Sequence, residues 1–91
     1  MRVWHYLYFR SESVGRRVAR DLNADGYGVE CRVSPPICLV RANHLVADQE
    51  ALEAVAADLQ RVSSREGGEY DGWEREASSL SAWVPEDAKP R

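Results

Sequence analysis

Apolar and polar positions follow a strand-like pattern in four parts of the chain. Residues 3 to 9 are aromatic and β-branched, which favours a pleated strand. Residues 27 to 34 alternate with a period of two, and residues 37 to 42 form a third apolar run beyond Pro35-Pro36. Because proline cannot donate to a ladder, the second and third strands are predicted to form a hairpin around these prolines. A short fourth strand is predicted over residues 69 to 74.

Two other segments carry helical stripes. The first begins at Ser11, which can cap a helix, and the pattern predicts a helix over residues 11 to 24, ended by Gly26. The second begins at Asp48 and is predicted to run to residue 65, before the stop at Gly67-Gly68. Five residues of the two stripes are predicted to be largely buried in the core: Val18, Leu22, Leu52, Val55 and Leu59.

The order β-α-β-β-α-β predicts an α+β fold of the ferredoxin-like type. Two right-handed crossovers would place both helices on one face of a four-stranded antiparallel sheet and leave the other face open. Residues 1–77 are predicted to form this domain. Residues 78–91 are polar and contain prolines, so they are predicted to form a C-terminal tail, in which Trp83 is a large apolar residue.

Composition limits the classes of function. The chain has 91 residues and a net charge of −3, which argues against a nucleic-acid binder that works by neutralising phosphates. No apolar run is long enough to span a bilayer, and the N-terminus lacks the apolar region of a signal peptide, so we expect a cytoplasmic protein without membrane contact. Two cysteines in a reducing compartment are expected to pack in the core rather than form a disulfide.

Candidate catalytic and metal-binding groups are few. The spacing of Cys31, Cys38 and His44 fits no zinc pattern and supplies at most three ligands. His5 lies within a strand without a matched nucleophile, so hydrogen-bonded structure is the favoured interpretation over a catalytic base. The acids near the fourth strand are interpreted as a solvated edge. We therefore expect no enzyme activity, no metal and no cofactor.

The most informative residues are the aromatics Trp4, Tyr6 and Tyr8. Parity places all three on one side of the first strand, and if Val3, Leu7 and Phe9 face the helices, the three rings lie on the open face. Such a patch requires a cover, which could be RNA bases, a protein partner (including a second copy of the chain), or the tail through Trp83. The net charge and a third strand without aromatics disfavour RNA, and the other two covers stay open.

Near its end the chain resembles a known family. The tetrad Tyr70-Asp71-Gly72-Trp73 is similar to the most specific mark of the regulator of ribonuclease activity B family, which are protein inhibitors of ribonuclease E. Supporting matches are His5 in the first strand, Gly26-Tyr27 with Val29 after the first helix, and Ala47-Asp48 before the second. The resemblance covers roughly residues 3 to 77. It implies a non-catalytic ferredoxin-like domain that binds ribonuclease E and reduces RNA cleavage.

These observations lead to two hypotheses of function. In the first, the chain is a regulatory module that masks a surface of a protein partner, a ribonuclease. In the second, it is a self-associating or scaffold domain with another protein partner, unrelated to RNA turnover. The expected partner-binding residues are Trp4, Tyr6 and Tyr8, with Tyr70, Asp71, Gly72 and Trp73 at the margin. The tetrad also has a structural interpretation, in which Gly72 marks a β-bulge and the two aromatics anchor the strand.

Overall fold

The computed structural model describes residues 1–76, and its elements follow the predicted order. The strands and helices are β1 (Arg2–Phe9), α1 (Glu12–Ala24), β2 (Gly28–Ser34), β3 (Ile37–Leu45), α2 (Gln49–Arg65) and β4 (Glu69–Arg75). The α+β, ferredoxin-like prediction is confirmed. The predicted tail at 78–91 lies outside the described residues, and the division into domain and tail stays a prediction.

A single antiparallel sheet joins the strands in the order β2-β3-β1-β4, so β1 and β3 are central. β2 and β3 form the expected hairpin, with Pro35 and Pro36 in its turn. β3 continues three residues beyond its predicted end, because Asn43, His44 and Leu45 pair with the first residues of β1. Because β1 is central, it is hydrogen-bonded to β3 along one edge and to β4 along the other.

The alternation of side chains along β1 separates the two faces of the sheet. The odd-numbered residues Val3, His5, Leu7 and Phe9 are fully buried, whereas the even-numbered aromatics between them are half-buried. Both helices pack on the side of the odd-numbered residues, α1 over β2 and β3 and α2 over β4. The opposite side is the open face.

Short-range capping explains where the helices begin. The hydroxyl of Ser11 accepts a hydrogen bond from the backbone N–H of Val14 at 3.3 Å, and a carboxylate oxygen of Asp48 accepts one from Ala51 at 2.8 Å. Each contact satisfies a backbone donor of the first turn that has no partner within the helix. Neither helix has the length and apolar character required to cross a membrane.

The core consists of two apolar clusters. The larger cluster joins Leu7 and Phe9 of β1 to Leu22 of α1 and Leu59 of α2. The smaller one contains Val3, Val46 and Leu52, with Trp73 packed against it.

Four of the five predicted core residues are buried: Val18, Leu22, Leu52 and Leu59. Val55 packs against the larger cluster and is only partly buried. The reason is that α2 lies mainly over β4 at the edge of the sheet, where fewer neighbours surround a side chain.

Candidate functional site

Three aromatic side chains form a row along the middle of the open face. Trp4, Tyr6 and Tyr8 point away from the helices, as their parity predicts, and each stays partly exposed. Their partners on β3 are Asn43, Arg41 and Leu39, which therefore lie on the same face. The row spans most of the length of β1.

Arg41 packs onto this row from the neighbouring strand. The central carbon of its guanidinium lies 4.1 Å from the ring centroid of Trp4 and 5.7 Å from that of Tyr6. A cation at this distance from an aromatic face is attracted by the ring quadrupole. The same guanidinium donates to Glu30 of β2 at 3.0 Å, so its position is fixed from two sides.

Two acidic side chains, Glu74 near the end of β4 and Glu76 just beyond it, hold the polar ends of two aromatics. The indole N–H of Trp4 donates to Glu76 at 2.9 Å, and the hydroxyl of Tyr6 donates to Glu74. Partial burial, and then the nearby Glu74 carboxylate, raise the pKa of Tyr6. The rings are thus held in defined orientations, which lowers the rotamer entropy that a partner would otherwise remove on binding.

The tetrad does not join this row as a whole. Trp73 pairs with His5 and Tyr70 pairs with Leu7, so both aromatics lie on the helix side. Between these pairs the register shifts, and Asp71 and Gly72 together lie opposite one residue of β1. Gly72 has φ +98°, which a residue with a side chain rarely adopts. The structure therefore contains the bulge that the tetrad suggested, with Asp71 exposed and the two rings partly buried.

A buried polar cluster lies behind the aromatic row, on the helix side. His5 is fully buried, and both of its ring nitrogens have partners, Nδ1 with the hydroxyl of Tyr70 at 2.9 Å and Nε2 with Nε2 of His44 at 2.9 Å. If the Tyr70 hydroxyl donates to Nδ1, then Nε2–H of His5 donates to His44, which leaves every group neutral. The interpretation of His5 as hydrogen-bonded structure agrees with this arrangement.

The environment of the cluster favours uncharged forms. Burial, and then the charge of His44, lower the pKa of His5 to about 4. Burial likewise lowers the pKa of His44, and burial, followed by Tyr27, raises the pKa of Tyr70 to about 12. Two imidazolium ions could not share a hydrogen bond at this distance, so at least one of the two rings must stay neutral for the contact to persist.

The two cysteines belong to neither the aromatic row nor the polar cluster. Cys31 and Cys38 are free thiols, and Cys38 is buried among apolar side chains, as a packing role predicts. Among residues 1–76 there is no group of three or more His, Cys, Asp or Glu side chains arranged to hold a metal ion.

Arg41, Glu74 and Glu76 each contact the aromatic row, and the sequence analysis predicted none of these three contacts. Strand parity could have identified Arg41, because it alternates with the buried residues of β3.

Comparison with known proteins matches the chain to a family. The family model described as RraB, regulator of ribonuclease activity B, matches residues 1–74. The searches of curated proteins and of solved structures gave no match.

Proposed function

Because the chain belongs to the regulator of ribonuclease activity B family, we propose that it is a non-catalytic module that binds a ribonuclease and masks a surface of that partner. The family match covers residues 1–74, which include all four strands except the last residue of β4. Following the resemblance in the tetrad, the proposed partner is a ribonuclease of the E type. The proposed site of action is the cytoplasm.

The observation that carries the proposal is the row of aromatics on the open face. Trp4, Tyr6 and Tyr8 are partly exposed on a central strand, where side chains are usually covered. Aromatic rings supply much contact area with few rotatable bonds, and interface hot spots are enriched in Tyr, Trp and Arg. Arg41 beside the row adds the third of these residue types.

The tetrad is proposed to contribute from the edge of the sheet. Asp71 is exposed at the bulge and is the member best placed to meet a partner directly. Tyr70 and Trp73 are proposed to act at the margin through the parts of their rings that the helices leave uncovered. Gly72 is proposed to give the backbone the turn that presents Asp71.

Alanine substitution of Tyr6 and Tyr8 tests the aromatic row. If the row is a hot spot, the double variant should bind the ribonuclease at least ~2 kcal/mol more weakly, which is about 30-fold in Kd. Binding is measured by calorimetry, and inhibition by titrating the chain into a ribonuclease reaction on a fluorogenic RNA. The chain alone should leave the RNA intact.

Controls separate binding from folding. Arg16→Ala with Arg20→Ala changes the exposed side of α1 and should leave Kd within ~2-fold of the parent, if the open face is the contact. Circular dichroism should be the same for parent and both double variants, because none of these residues is in the core. A folded Tyr6, Tyr8 double variant that inhibits as the parent does would refute the proposed face. Loss of binding in the α1 variant would instead indicate that the partner contacts α1.

A further inference from the structure

The open face carries opposite charges on its two edges at the same level. The register pairs Tyr8 with Leu39 and with Glu69, and pairs Leu39 with Arg32, so the four residues form one row across the sheet. Arg32 lies on the edge strand β2 and Glu69 on the edge strand β4. Three strand spacings of about 4.8 Å separate them by about 14 Å, too far for an ion pair within one copy.

Both of these edge charges are exposed to solvent. Within residues 1–76 neither Arg32 nor Glu69 takes part in an ion pair or a side-chain hydrogen bond, although other charged groups on this face do. Between them lie an aromatic strand and a strand with Leu39 and Arg41. Read from edge to edge, the row is basic, apolar, aromatic and acidic.

A two-fold rotation makes this order self-complementary. Consider an axis that lies between two facing sheets and runs parallel to their strands. Rotation about it reverses the strand order of the second copy but leaves the position of each residue along the strand direction unchanged. β4 of one copy then lies over β2 of the other, and β1 lies over β3. An axis across the strands would instead place β4 on β4 and bring like charges together.

We propose that the open face pairs with the same face of a second copy of the chain in this arrangement. Glu69 of each copy then meets Arg32 of the other, and Tyr8 packs on Leu39. At the next level Tyr6 meets Arg41 of the second copy. Glu30 comes near Asp71 of the second copy, but its carboxylate is already paired with Arg41 of its own copy.

The size of the face makes this a weak dimer. Four strands at about 4.8 Å and seven residues at about 3.3 Å give a projected area of roughly 440 Å² per copy, below the ~800 Å² per partner of a standard interface. We therefore expect weak association, with a monomer in dilute solution. The proposal does not depend on the ribonuclease assignment, but a partner on the same face would compete with the second copy.

A charge exchange on the full chain tests the pairing. Arg32→Glu and Glu69→Arg should each weaken self-association at least ~10-fold, because each places like charges together in both symmetry-related contacts. The variant with both changes should return to within ~3-fold of the parent. Sedimentation velocity from about 10 µM to about 1 mM measures the dimer, and Arg20→Glu on the exposed side of α1 is the matched control.

The outcomes distinguish this proposal from the ribonuclease assignment. A parent that stays monomeric up to about 1 mM, or a double variant no better than the single variants, overturns the pairing. Weakening by Arg20→Glu as large as by Arg32→Glu would indicate a general effect of charge and overturn it as well. Ribonuclease inhibition is measured separately on the same variants, so either proposal can fail while the other stands.

Discussion

Lowering the pH from 7 to 5 is expected to destabilise this domain through His5. The ring is fully buried and bonded at both nitrogens, and its pKa is lowered from 6.5 to about 4. Between these two values the unfolded chain binds a proton at residue 5 that the folded chain does not. Stability contributed by a group with a lowered histidine pKa is therefore present at neutral pH and is lost as the pH falls.

The magnitude follows from the gap between the two pKa values. At about 1.4 kcal/mol per unit, the gap corresponds to about 3 kcal/mol when the titration is complete, below pH 4. At pH 5 the folded ring is still mostly neutral and the unfolded ring is mostly charged, so about 2 kcal/mol is lost relative to pH 7. His44, whose pKa is also lowered, adds a loss of the same sign. For a domain of this size, such a loss is a large part of the total stability.

Urea denaturation at pH 5, 6, 7 and 8 measures the effect, with unfolding followed by tryptophan fluorescence. The variant His5→Gln keeps hydrogen-bonding capacity but cannot titrate, so its free energy of unfolding should fall between pH 7 and pH 5 by about 2 kcal/mol less than that of the parent. His44→Gln is the matched comparison. It removes the other titrating ring of the pair, and should flatten the profile less because His44 is partly exposed.

Equal losses in the parent and in His5→Gln would refute the reasoning, since acids common to both chains would then account for the whole pH dependence. A direct titration of His5 in the parent chain provides the same test if the variant does not fold. In the parent, the ring-proton shift of His5 measured by nuclear magnetic resonance should stay that of a neutral imidazole at pH 5. A midpoint near 6.5 would contradict the structure.

Three further substitutions test the packing. Leu59→Ala should cost about 2–5 kcal/mol in urea denaturation, because Leu59 is fully buried; an unchanged midpoint would contradict its place in the core. Gly72→Ala should cost about 1–2 kcal/mol by the same assay, since φ +98° is unfavourable with a side chain, and a neutral result would argue against the bulge. Gly68→Ala should cost about 1–3 kcal/mol and shift the amide resonances of β1, because its Cβ would clash with the backbone carbonyl oxygen of Tyr8; unchanged stability would show that β1 can move aside at no cost.

The sequence predicted the elements and the two faces of β1 because both depend on local periodicity. Alternation from Val3 to Phe9 determines which side chains share a face, whatever the neighbours are. The caps at Ser11 and Asp48 act on amides three residues away, so they too are visible locally. The end of β3 was missed because Asn43 is a poor strand former, and because His44 and Leu45 pair with β1 alone.

Which residues come together in the site was harder to predict from the sequence, because it depends on the register between strands that are distant in the chain. His5 and His44 are 39 residues apart in the chain, and nothing in the sequence near either residue indicates their contact. Similarly, Tyr70 and Trp73 would lie on opposite faces in a regular strand. The bulge at Asp71 and Gly72 adds one residue between them and turns both rings to the helix side.

The polar cluster of His5, His44 and Tyr70 lies between the two apolar clusters. The domain therefore has two regions that should differ in the free energy of local opening. The smaller cluster, around Val3, Val46 and Leu52, holds the beginning of α2 against the end of the sheet. A region with fewer buried contacts opens at a lower free energy, so its amides should exchange with solvent sooner than those of Cys38 to Val40. The aromatic row crosses both regions on the other side of β1, from Trp4 to Tyr8. A partner seated along the whole row would therefore slow hydrogen exchange most at the Trp4 end, where the free domain opens most often.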